Sequence, residues 1–100
     1  MRANNESLQH ALASFNEVAD RIGAGSPHRD DWVLERGSKV NGAAWRVAAY
    51  ATDGTERTLC PLFPHGHVGM TAGEARETLE RTTHVLRAMA RILEGRKAGR

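Results

Sequence analysis

One hundred residues with 40% apolar content and nearly balanced charge, 14 basic against 12 acidic, describe a single folded domain and exclude a disordered chain. The single cysteine excludes an internal disulfide framework and fits a reducing compartment. The opening Met1 to Glu6 has no apolar run behind it, and nowhere do about eighteen apolar residues stand together, so neither a secretory signal nor a membrane span is expected and the expected location is cytoplasmic.

Residues Asn5 to Ile22 carry Leu8, Ala11, Leu12, Phe15, Val18, Ala19 and Ile22 at helical spacing, with Asn4 or Asn5 able to cap the start and Gly23 to end it. Leu8, Phe15 and Ile22 also sit at heptad-like positions that suit a helix pair between subunits; packing on the chain's own sheet is the alternative. After the loop Ala24 to Pro27, the run Asp31 to Arg36 reads as a strand, and Gly37 to Gly42 as a polar loop.

A second strand from Ala44 to Thr52 puts Trp45, Val47, Ala49 and Ala51 on one face and Arg46, Ala48 and Tyr50 on the other. Asp53-Gly54 marks a tight hairpin, because such turns need positive φ, which glycine adopts without a clash. The third strand is then Thr55 to Leu62. A two-residue turn sets Val47 opposite Cys60, Trp45 opposite Leu62 and Tyr50 beside Arg57, where a cation–π contact is expected; a bulged turn sets Val47 opposite Leu59 instead. Pro64 to Gly69 reads as a loop.

The longest pattern is a helix from Thr71 to Glu94. Thr71 and Glu74 form a capping box, flanked by Met70 and Ala75 at the staple positions. Ala75, Leu79, Thr82, Leu86, Met89 and Leu93 recur at spacings of three and four, and Val85 and Ile92 widen that stripe. Gly95 supplies a stop, and 95–100 reads as a frayed basic tail beyond an ordered core of about 5–94. The expected class is α+β: a three-stranded antiparallel sheet with an N-terminal and a C-terminal helix on one face, in the order α-β-β-β-α. The stripe of the last helix is wider than one small sheet requires, and its first expected cover is the helix Asn5 to Ile22.

Few residues point to chemistry. Cys60, His65 and His67 are the metal-ligand types at short spacing, but zinc would need a further ligand from His10, His28 or His84, and Gly66 leaves the two histidines without a preset geometry. Cys60 precedes Pro61 in a strand pattern and reads as a small buried hydrophobe rather than a nucleophile. No glycine-rich phosphate loop follows a strand. Neither an enzyme nor a cofactor is expected.

The runs Asp31-Trp32-Val33-Leu34-Glu35-Arg36-Gly37 and Trp45-Arg46-Val47-Ala48-Ala49-Tyr50, in this order of elements, resemble the first two strands of the double-stranded-RNA-binding domain, over residues 8–93. That resemblance implies duplex recognition by shape, through phosphate and 2′-OH contacts, with Lys39 and Arg76 as the residues carried over. The family's lysine cluster at the start of its last helix is replaced here by Thr71-Ala72-Gly73-Glu74-Ala75-Arg76. Residues 44–93, a hairpin followed by Thr71, Glu74, Ala75 and Arg76 opening an alanine- and leucine-bearing helix, resemble many small proteins of high-GC actinobacteria and their phages. The hairpin and helix are also similar to the arm-binding domain of phage-type integrases. The actinobacterial likeness implies a fold context and no activity.

The function expected from these readings is a non-catalytic accessory or regulatory protein, of phage derivation, acting through protein contacts as a homodimer. Its candidate interface is Leu8, Phe15, Ile22, Val85, Met89 and Ile92. The alternative is a nucleic-acid binder drawing on the last third, which holds seven basic residues against four acidic ones; its candidates are Arg76, Arg87, Arg91, Arg96, Lys97 and Arg100 there, Arg46, Tyr50 and Arg57 on the sheet, and Lys39 in its loop.

Overall fold

The computed structural model describes residues 5–36 and 44–98. In chain order it has α1 (Asn5–Arg21), β1 (Val33–Arg36), β2 (Trp45–Tyr50), β3 (Arg57–Leu59), a 3-10 turn (Pro64–Gly66), β4 (His67–Gly69) and α2 (Ala72–Ala98). The α+β class is as expected, with both helices joined to the sheet through one apolar core. The sheet has four strands rather than three, because His67–Gly69, expected as loop, pairs with β2. The expected polar loop from Gly37 to Gly42 lies outside the described residues. No described helix is long and apolar enough to cross a membrane.

Every apolar position of the α1 stripe is buried except Ile22, which is half-buried. Gly23 ends the helix at φ +80, with its N–H donating to Asp20 and the Ala24 N–H to Ala19, the paired bonds that close a helix on a left-handed residue. The loop that follows is tied back twice. Asn16, 7% exposed on α1, donates from Nδ2 to the Trp32 carbonyl at 2.9 Å and accepts the Trp32 N–H on Oδ1 at 3.0 Å. The Trp32 indole N–H donates to the Ala24 carbonyl at 3.2 Å. A buried amide on the helix thus takes the place of a backbone neighbour for the residue that leads into β1.

β2 is the central strand, with β1 along one side and β3 and β4 sharing the other. β3 pairs with its second half, Ala48 with Leu59 and Tyr50 with Arg57, and β4 with its first residues, Trp45 with Gly69 and Arg46 with His67. The expected register holds, since the Cys60 N–H donates to the Val47 carbonyl at 2.9 Å. The expected Trp45–Leu62 pair does not form, because the chain leaves the sheet after Cys60 and β4 takes that edge. The turn is wider than two residues: the Ala51 N–H reaches the Glu56 carbonyl at 3.0 Å, and Gly54 sits at φ +74.

The detour between β3 and β4 serves the core. It turns Phe63 inward against Phe15, ring centroids 5.4 Å apart, and returns over β2 at Gly66. There a Cβ would stand 2.8 Å from the Val47 carbonyl oxygen at φ +73, so glycine is required.

α2 starts on one half of the expected capping box, the Glu74 N–H donating to Thr71 Oγ1 at 3.1 Å. Met70 is 50% exposed, so it does not staple that turn to the core. Gly95 does not stop the helix, which continues to Ala98. The two helices lie side by side in the same direction. Glu6 and His10 share a surface pocket with Arg76 and Glu80, Ser14 shares the next with His84 and Arg87, and Arg21 bonds Glu94 at 2.5 Å.

Candidate protein-contact surface

The face of α2 turned to the core is made of small or medium residues, Ala75, Leu79, Thr83, Leu86 and Ala90, each at most 4% exposed. α1 packs against α2, and its Ala11, Val18 and Ala19 belong to the same buried cluster. The larger apolar residues of α2 point elsewhere. Val85, Met89, Ile92 and Leu93 are 53, 45, 57 and 44% exposed, in a run at helical spacing along α2 whose last member, Leu93, also borders the end of α1. The expectation that α1 covers Val85, Met89 and Ile92 is therefore corrected. Once Ala75, Leu79 and Ala90 face inward, the 3.6-residue repeat rotates the others outward.

The six expected interface residues separate accordingly. Leu8 and Phe15, at 1 and 0% exposure, belong to the chain's own core and offer nothing to a partner, whereas Val85, Met89 and Ile92 stay on the surface. Ile22 is between the two, lining with Ala90, Leu93 and Arg96 a cavity of about 530 Å³ at the end of the helix pair. Arg81 and Arg96 border the exposed run, the former paired with Glu77 at 2.6 Å.

The basic residues do not converge. Arg46, Tyr50 and Arg57 lie on the open face of the sheet, the face opposite α2, while Arg87, Arg91 and Arg96 lie on α2 itself. Arg76 is directed at α1 and paired with Glu80 at 3.4 Å. Lys39 and the side chain of Lys97 lie outside the described residues, as does Arg100. On the sheet, the expected cation–π contact of Tyr50 with Arg57 is replaced by a shared anion: the Tyr50 hydroxyl and the Arg57 guanidinium both donate to the Glu35 carboxylate. Arg36 lies instead over Trp45, 5.9 Å from the ring centroid. Arg46 is opposite Glu35 in the β1–β2 register, its buried Nε without a partner among the described residues. Glu35, on the outer strand β1, thus pairs with Arg57 on this face.

Cys60 is 1% exposed, and burial pushes its thiol pKa up, against the thiolate that both nucleophilic attack and metal ligation require. His65 and His67 are exposed, and among the described residues no three His, Cys, Asp or Glu side chains group to hold a metal.

Sequence reasoning missed Asn16 and Glu35. Asn16 follows Phe15 inside an apolar helix stripe, and a polar residue on a core-facing flank is the one signal that such a clamp leaves in sequence. Comparison of the chain with protein-family models, curated proteins and solved structures finds no match.

Proposed function

We propose that this chain is a non-catalytic module that works through protein contacts, made by the outer flank of α2 with a second copy of the chain. The observation that supports this reading is the run Val85, Met89, Ile92 and Leu93, four large apolar side chains exposed together along two turns of one helix. Isolated apolar residues on a surface need no explanation, but a contiguous row of them marks a contact site. Each is already about half covered, so complete burial adds about 1 kcal/mol per side chain. That sum is comparable with the lower end of the free energy lost on association, about 4 kcal/mol, so the self-contact is weak and concentration-dependent.

Sedimentation velocity from about 10 µM to about 1 mM tests it, a range chosen because weak association is governed by mass action. The average mass should rise with concentration, and Met89→Lys or Ile92→Lys should hold it at one chain. A wild-type protein that remains monomeric throughout would overturn the proposal.

A further inference from the structure

We infer that the second copy binds head to tail, the outer flank of α2 of one chain docking in the groove between α1 and β1 of the next. The inference rests on the proposed self-contact and identifies its other half. The groove, about 410 Å³, runs along the flank of α1 away from α2 and is lined by Leu12, Asn16, Glu17, Asp20, Asp31 and Val33. β1 is the outermost strand on that side. The docking row and the groove are therefore at opposite edges of the two-helix layer.

Two properties match them. The first is length: the row from Val85 to Leu93 spans about 12 Å at helical rise and fits within the groove, where Gln9 to Asp20 span about 16 Å. The second is charge. Glu17, Asp20 and Asp31 are exposed and have no cationic partner among the described residues. Arg96 borders the row at one end, Arg81 at the other being paired with Glu77, and the apolar floor of the groove, Leu12 and Val33, receives its centre.

The symmetric alternative lacks this match. Parallel pairing of two α2 flanks sets Arg81 against Arg81 and Arg96 against Arg96. Antiparallel pairing about Met89 sets Arg96 against Thr82. Neither arrangement brings a free carboxylate to an arginine, since Glu77 is already paired with Arg81 in its own chain. A contact between two different surfaces also leaves one of each open, so the assembly grows past two chains or closes as a ring.

Mixing two disabled variants decides the question. Ile92→Lys removes the row and keeps the groove; the double variant Glu17→Arg, Asp31→Arg reverses the groove and keeps the row. All three positions are exposed, and circular dichroism checks that each variant folds. Each variant alone should self-associate at least about tenfold more weakly than wild type, charge reversal at a complementary contact being strongly unfavourable. Mixed in equal amounts, the two should form a complex of twice the chain mass and no larger. If the groove variant self-associates as wild type does, or the mixture stays monomeric, the head-to-tail inference is overturned and the α2 contact stands. If Ile92→Lys self-associates as wild type does, the contact itself is wrong and both fall.

Discussion

α1 and α2 carry apolar stripes of similar period, and the fold uses them in opposite ways. On α1 the large residues Leu8, Leu12, Phe15 and Val18 are the core, at no more than 6% exposure. On the second half of α2 the core is reached by Leu86 and Ala90, and the large residues Val85, Met89, Ile92 and Leu93 are left outside. On α1 large side chains fill the buried face throughout, and on α2 Leu79 and Leu86 share that face with the small Ala75 and Ala90. Side-chain size is therefore a poor guide to which part of a wide stripe faces inward.

The largest effect that would break this contrast comes from Phe15→Ala. It removes a fully buried ring that touches Phe63 and should lower the unfolding free energy by about 3–5 kcal/mol in urea titration. Asn16→Ala leaves the N–H and C=O of Trp32 without their partner on α1, and a loss of about 2–3 kcal/mol is expected by the same measurement. Ala90→Leu sharpens the comparison from the other helix: overpacking the close approach should cost about 1–3 kcal/mol, whereas a stripe with room for large residues would gain. Ile92→Ala, measured at low protein concentration, should change stability by no more than about 0.5 kcal/mol.

The smallest effect lies outside both helices. Hydrogen bonds from the Thr55 side chain and N–H hold the Asp53 carboxyl below its usual range. A carboxyl more acidic in the folded chain stabilises it above the unfolded pKa, and that contribution is lost as pH falls through the folded value. The stability difference between wild type and Asp53→Ala should therefore shrink below about pH 4, as followed by thermal melts across acid pH.

Much of the architecture was legible in the sequence because it rests on local chemistry. Apolar period and Gly23 define α1, Thr71 and Glu74 define the start of α2, and Asp53-Gly54 sets the β2–β3 register that the Cys60 to Val47 bond displays. The misses depend on long-range geometry. β4 is three residues ending in Gly69, too short for any periodicity, and exists because the Gly66 turn returns the chain to a vacant stretch of β2. Gly95 reads as a stop, yet nothing in the surroundings turns the chain there and the helix continues. Of the candidate surface, the sequence shows that Val85, Met89 and Ile92 share a face. That the face points outward follows from the packing of α1 against Ala90.

The side-by-side pairing of α1 with α2 has a consequence for synthesis. Arg21 waits for Glu94, 73 residues later, and Phe15 for a core completed by α2. At about 5–20 residues per second, translation leaves the apolar face of α1 without its cover for about 4–15 seconds.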